Sequence, residues 1–375
     1  MRKVGILTYY YNTTNYGGIL QAYALCKKIN TLNNELIAEQ ICYEYDSAIN
    51  QKKTLVQLAK LLVKKILSPF LKKYRLTELN KKRMEFKKFE QSIPHSKSVF
   101  ACDNINETND LYDIFVVGSD QVWNPISIDS NFFLEFVKPG KKKIAYAASL
   151  GADDIQIDRL DIIRNKISSF DSISVREESS LILIGDIGKP IYRTIDPVFL
   201  IDKGEWIQLI KDEDTIAEAY VFVYFLSNDS GERQRVEKYA KENKLLIADF
   251  SPFQLFGENH VDCSNMGPQA FLRGIQNAEI CFTDSFHCTA FCTILGIQFM
   301  VSLKKAQQNV TANDRIINIL KDLNLTDHIW GTDNRVASND PSNQEYIDEK
   351  INTYRKEGME FLSNALVKNY EKKSN

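Results

Sequence analysis

No stretch of 18 consecutive apolar residues occurs in the chain, so no segment reads as a membrane-spanning helix. There is no C-x-x-C pair, and the seven cysteines are odd in number, which argues against both a zinc knuckle and a disulfide framework. They read as reduced thiols. Only four histidines are present, and His95, His260 and His328 stand at no ligand spacing to His287, so no metal site is expected. Walker A and G-x-G-x-x-G sequences are both missing. Charge of one sign is missing too: the net charge of -2 over 375 residues offers no global attraction to nucleic acid, and none is expected as a partner. The opening "MRKVGILTYYYN" turns polar after four apolar positions, too short for the apolar core of a secretory signal. A cytoplasmic protein is the expectation.

What the chain does have is alternation. Short β-branched runs separated by amphipathic helical stretches predict parallel sheets covered on both faces. The first series opens with "KVGILTYY" and continues through "DIFVVGS", "KKIAYAASL", "SISVREES" and "PIYRTIDPVFLI"; a second restarts at "AYVFVYFLS" and runs through "LLIADFS", "EICFTDS" and "IQFMVSL". The expected fold class is α/β, two Rossmann-like doubly wound domains facing a cleft. Residues 1–205 form the first and 206–345 the second, with the charged stretch "DKGEWIQLIKDEDTIAEAY" as the crossing. A C-terminal helix over 346–375 has its apolar positions in one stripe and is placed to pack back across the other half. Ligands of such folds sit in the cleft at the carboxyl ends of strands, so the site belongs in loops that follow strands.

Residues 52–88 stand apart, with thirteen Lys or Arg against two Glu, inside a helical insertion over 50–92. Leu55, Leu58, Leu61, Leu62, Ile66 and Leu67 fall at helical spacing among lysines, which suits an interfacial helix drawn to anionic lipid at the inner face of the plasma membrane. The other reading is a helix packed on its own domain with a solvated basic face.

Two loops carry the chemistry. "DIFVVGSDQVWNP" is a strand followed by Ser119, Asp120 and Gln121, and Asp120 can orient a hydroxyl, accept its proton, or simply cap the next segment. "EICFTDSFHCTAFCTILG" is a strand followed by a helix that Thr283, Asp284 or Ser285 can cap, so its first amides favour an anion beside His287. Histidine titrates closest to neutrality and can give or take a proton there, although a core imidazole bonded to a carbonyl is the alternative. Cys288 as a nucleophile is disfavoured, because adjacent helical residues diverge by about 100°. Among basic candidates (Arg176, Arg273, Lys304, Lys305, Arg315), Arg176 and Arg315 sit at a strand exit or helix start, where a planar guanidinium can hold an oxyanion. "NTTNYGG" adds polar side chains and Gly17 before a helix.

Taken in order, "GILTYYYNTTNYGGILQAYAL", "DIFVVGSDQVWNP", "KIAYAASLG", "SVREESS", "DPVFL" and "TDSFHCTAFCTILG" resemble the polysaccharide pyruvyl transferase family over most of residues 3–325. The resemblance implies a GT-B-like architecture, an acceptor-side first half and a phosphoenolpyruvate-side second half. It also implies transfer of pyruvate from phosphoenolpyruvate to two hydroxyls of a sugar in a surface polysaccharide or its lipid-linked precursor, without a further cofactor. It gives His287 to phosphoenolpyruvate and proton transfer, and Arg176, Arg315 and the helix start Ser285–Phe286–His287 to its phosphate and carboxylate. Asp120 is then the hydroxyl base or orienter, with Asn15, Tyr16, Gly17, Ser119 and Gln121 on the substrate side. Some members carry Arg two residues before the histidine, where this chain has Ser285, so one anion contact must come from elsewhere. A GT-B-like glycosyltransferase using a nucleotide sugar shares such a cleft, as does a non-catalytic carbohydrate-binding protein; no nucleobase- or ribose-binding signature is legible.

Overall fold

The structure, a computed structural model, describes residues 1–45, 69–151, 155–210, 216–252, 259–304, 313–331, 335–337 and 341–368. In the N-terminal half, strands β1 (Arg2–Leu7), β2 (Leu36–Tyr43), β3 (His95–Phe100), β4 (Ile114–Val117), β5 (Lys142–Ala148), β6 (Ser172–Val175) and β7 (Ile191–Arg193) form one parallel sheet. Their order is β3-β2-β1-β4-β5-β6-β7. The run "IFVV" is apolar without a break because alternate residues enter different cores: Ile114 and Val116 join one hydrophobic cluster, Phe115 and Val117 another.

The C-terminal half repeats the plan with β8 (Tyr220–Tyr224), β9 (Leu246–Asp249), β10 (His260–Asp262), β11 (Ile280–Thr283) and β12 (Phe299–Val301), all parallel, in the order β10-β9-β8-β11-β12. Each sheet reverses its winding once, between β1 and β4 and between β8 and β11. Such switch points leave a crevice beyond the strand ends, and here the two crevices face each other. The helices that matter below are α1 (Tyr16–Leu32), α2 (Pro69–Glu90), α3 (Ile157–Ile167), α4 (Glu178–Ile184), α5 (Lys203–Leu209), α6 (Ser230–Asn243), α7 (Pro268–Gln276), α8 (Phe286–Leu295), α9 (Asp314–Asp322) and α10 (Pro341–Ser363). None among the described residues is long and apolar enough to cross a membrane.

The halves are bound by aromatic packing. Tyr16 of α1 stacks on Phe271 of α7 with ring centroids 4.2 Å apart, and Trp206 of α5 meets Phe291 of α8 edge-on at 5.0 Å. Helix α5 straddles residue 205; its Trp206 is sealed in the core, its indole donating to the Val198 carbonyl at 3.0 Å. Helix α10 starts at Pro341, earlier than 346, with proline in its first turn. It crosses back onto the N-terminal half, where Arg355 Nε donates to the Phe199 carbonyl at 2.9 Å. Gly358 lets it come close: a Cβ there would stand 2.6 Å from Tyr146 Oη.

Of the basic insertion, α2 is described, and Leu55, Leu58, Leu61, Leu62, Ile66 and Leu67 lie outside the described residues. Over its residues 77–90, Glu78, Lys82, Phe86 and Phe89 form one buried stripe, while Leu79, Lys81, Arg83, Met84, Lys87 and Lys88 face outward. Glu78 accepts a hydrogen bond from Asn265 Nδ2 of the other half. Lys82 lies with Nζ 4.4 Å from the Tyr16 ring centroid, and burial lowers its pKa to about 8.

Candidate active site

His287 enters the site from the end of β11. Thr283 Oγ1 donates to the Tyr224 carbonyl at 2.7 Å and accepts the Ser285 N–H at 3.0 Å, turning the chain. Ser285 then caps α8, its hydroxyl accepting from the Cys288 N–H at 3.5 Å. Asp284 stitches the switch point, its carboxylate accepting the N–H groups of Leu226 at 2.6 Å and Ser227 at 2.8 Å. Every residue of α8 is buried, and Cys288 faces the core, where burial holds its thiol far above the range at which it ionises.

The opposite half meets the imidazole at two points. Asn15 caps α1, its Oδ1 accepting the N–H groups of Gly17 at 3.0 Å and Gly18 at 3.3 Å. Gly17 lies directly against the ring: a Cβ at that position would stand 2.0 Å from His287 Nδ1, well inside any tolerable contact. On the far side, His287 Nε2 is sealed from solvent 3.5 Å from Asp196 Oδ2.

Asp196 is the centre of a buried ionic cluster. Its Oδ1 accepts the Val198 N–H at 3.1 Å, and its Oδ2 receives Arg176 Nη1 at 2.5 Å and the Ser119 hydroxyl at 3.2 Å. Burial alone would raise its pKa, but the neighbouring His287 and Arg176 outweigh it and hold the carboxyl below the ordinary range. Arg176 also donates through Nε to Glu177 at 2.7 Å, and its guanidinium stands 4.6 Å from the Phe286 ring centroid. Burial works against its charge, yet Glu177, Asp196 and Asp120 more than restore it.

Asp120 sits at φ 70°, in the left-handed region that costs a side-chain-bearing residue of order 1–3 kcal/mol. Its own carbonyl, which accepts the Ser149 N–H at 3.0 Å, holds it there. Its Oδ1 accepts the Gln121 N–H at 2.9 Å and faces Arg315 Nη1 of α9 at 3.8 Å. Arg315 is poorly balanced: burial first, and then the charge of Arg176, lower its pKa. Asp120, Gln121, Asn15, His287 and Arg315 line a cleft of about 380 Å³ between the halves, with Lys304 on its wall. A second chamber of about 130 Å³ adjoins it past Phe286, bounded by Arg176, Arg315 and Asn318. Three buried N–H groups there have no acceptor among the described residues: Arg176 Nη2, Arg315 Nε and Asn318 Nδ2. No group of three or more His, Cys, Asp or Glu among the described residues could hold a metal.

The profile of the family described as polysaccharide pyruvyl transferase matches residues 15–302. The chain belongs to that family. It is thus a transferase. No curated protein matches it closely enough to count as a relative. Solved structures of similar architecture include a UDP-GlcNAc 2-epimerase from Neisseria meningitidis bound to UDP-GlcNAc, at 10% identity over 98% of this chain and 100% of that one, TM-score 0.51. Another is the UDP-N-acetylglucosamine 2-epimerase from Rickettsia bellii, at 10% identity over 98% and 99%, TM-score 0.50. At such identities the likeness carries the fold alone, the paired Rossmann-like halves of the GT-B type.

In this pyruvyl transferase family member the expected residues separate into three groups. His287, Asp120, Arg315, Gln121, Asn15, Ser285 and Phe286 share the cleft lining, and Arg176 stands behind Phe286. Gly17 touches His287 and offers backbone only. Tyr16 and Ser119 do not reach the cleft surface, against expectation. Tyr16 is wholly buried between the halves with its hydroxyl donating to the Met266 carbonyl at 2.7 Å, and Ser119 is spent on Asp196 and the Ala147 carbonyl. Arg273 lies on α7, not among the lining residues, and Lys305 lies outside the described residues. Two residues at the centre of the cluster were missed, Asp196 in "DPVFL" and Glu177 in "VREES". An acidic residue directly before a proline, and another directly after the chosen arginine, were the available signals.

Proposed function

We propose that the cleft binds phosphoenolpyruvate and passes its pyruvyl group to two hydroxyls of a sugar, giving a cyclic ketal and inorganic phosphate. The observation that carries this reading is the set of buried N–H groups of Arg176, Arg315 and Asn318 around Phe286 that have no acceptor among the described residues. Buried donors without acceptors suit an acceptor-rich ligand, and two guanidiniums suit a compact dianion. Arg176 is paired with two carboxylates at 2.5 and 2.7 Å, whereas Arg315 faces Asp120 alone at 3.8 Å and gains a closer counter-ion when such a ligand binds.

The residues support each demand of the chemistry. A proton from His287 to the methylene carbon makes C2 cationic; a sugar hydroxyl adds there, phosphate leaves, and a second hydroxyl closes the ring. Two hydroxyl protons are released: one recharges His287 and the other departs on phosphate. Asp120, between the cleft and Arg315, takes or orients the acceptor hydroxyl. Asn15 and Gln121 border the acceptor side, and the N-terminus of α8, a ten-residue helix, adds positive potential. The acceptor is a sugar of a surface polysaccharide or its lipid-linked precursor. The basic outer face of α2 fits contact with an anionic membrane at the cytoplasmic side.

Incubating the full-length protein separately with phosphoenolpyruvate and with UDP-sugars, over a panel of simple glycosides and oligosaccharides, tests the reading. Phosphate release with a mass gain on the glycoside is expected. Nucleotide release would favour a glycosyltransferase, and glycoside binding without affinity for phosphoenolpyruvate a carbohydrate-binding protein.

A further inference from the structure

We propose that Asp196 and Gly17 of the N-terminal half are positioning residues that make His287 of the C-terminal half a proton donor through Nδ1. This rests on the pyruvyl-transfer reading above and names how the two halves share one acid.

The imidazole has two nitrogens in different surroundings. Nε2 is sealed and makes no hydrogen bond among the described residues; the carboxylate of Asp196 lies 3.5 Å away, at ion-pair distance. That carboxylate cannot swing aside, because the Val198 N–H holds one oxygen and Arg176 with Ser119 hold the other. A neutral ring therefore keeps its proton on Nε2, toward the carboxylate, and a charged ring carries its second proton on Nδ1. Nδ1 lies over Gly17, where any Cβ would overlap it at 2.0 Å. Gly17 is the second residue of a helix, where alanine is the better helix former, so the contact and not local propensity accounts for a residue without a side chain.

The charges around the ring come from every element that packs near it. Asp196 follows β7, Arg176 and Glu177 follow β6, Asp120 follows β4, Arg315 begins α9 and Lys304 follows β12. Asp284, on the same loop as His287, is spent on two backbone amides. Asp196 is the carboxylate at ion-pair distance, and the same oxygen contacts both the ring and Arg176. In the transfer, the Nδ1–H bond breaks with its electron pair staying on nitrogen, and the π pair of phosphoenolpyruvate forms the new C3–H bond. The ring is left neutral with Nε2–H toward Asp196, and a hydroxyl proton from the acceptor restores Nδ1–H.

The test is nuclear magnetic resonance of the full-length protein labelled with ¹⁵N-histidine; only four histidines need resolving, and His287→Gln assigns the signal. Neutral His287 is expected as the Nε2–H tautomer. In Asp196→Asn, which keeps the Oδ1 acceptor for Val198, the charge that draws the proton to Nε2 is gone, and the Nε2–H signature should weaken in favour of the Nδ1–H form. In Gly17→Ala the ring must move, and the Nε2–H signature should be lost while circular dichroism stays unchanged. An Nδ1–H tautomer in the wild type, or a His287 signal that neither variant moves, overturns the proposal. Failure of the wild type to release phosphate from phosphoenolpyruvate, with these signatures intact, sinks the pyruvyl-transfer reading and leaves the positioning by Asp196 and Gly17 standing.

Discussion

Arg315 is the residue at which folding and binding should pull apart. Its side chain is 18% exposed, and Asp120 at 3.8 Å is its one ion-pair contact among the described residues. Nε lacks an acceptor among the described residues, and burial together with the charge of Arg176 lowers its pKa. Arg315→Met keeps the apolar stem and removes a cation that the fold balances incompletely. Stability should hold or rise, by up to about 1 kcal/mol, which is about 2–4 °C in Tm for a domain of this size. Affinity should go the other way. A hydrogen bond to a charged group contributes about 1.5–3 kcal/mol, so the Kd for phosphoenolpyruvate should rise about 10- to 150-fold. Calorimetric titration with phosphoenolpyruvate and a thermal melt of the ligand-free protein read the two quantities independently. A variant that melts well below the wild type yet binds phosphoenolpyruvate equally well would show that Arg315 braces the fold and does not clamp the ligand.

Arg176→Met should behave differently, because it strands the buried carboxylates of Asp196 and Glu177: chemical denaturation should show a loss of about 3–5 kcal/mol. Lys82→Met should stabilise by about 1–3 kcal/mol at neutral pH, since a buried ammonium is replaced by an isosteric apolar chain. The folded state holds the Lys82 proton less tightly than the unfolded chain does. The wild type should therefore gain stability as pH rises from about 8 toward the free-lysine value of about 10.4, and the variant should lack that gain. Sedimentation with anionic liposomes should show binding that weakens as salt rises and disappears when the lysines of residues 52–88 are replaced, and salt-independent absence of binding in the wild type would refute the membrane contact.

The two strands that carry the site were legible because their apolar runs end abruptly in polar loops, and "TDSFH" announced its own cap. Asp196 was not, because nothing local distinguishes it from an ordinary cap before a proline. Its partners His287, Arg176 and Ser119 come from three other loops that only the tertiary fold assembles. Tyr16 misled for a geometric reason. Its neighbour Asn15, the cap outside the helix, lines the cleft, but Tyr16 is the first residue of α1 and its side chain turns onto α7 instead. Lys82 is the same lesson on α2: in a segment this basic, charge cannot reveal which lysine the packed face will take.

The return of α10 across the N-terminal half has a mechanical consequence. The chain passes from one half to the other twice, once after α5 and once through α10, which Arg355 and Gly358 seat against the first sheet. The halves are thus tied at two places along the chain, so cutting the chain ahead of α10 would leave one covalent tether and strip the first sheet of the contacts made by Arg355 and Gly358.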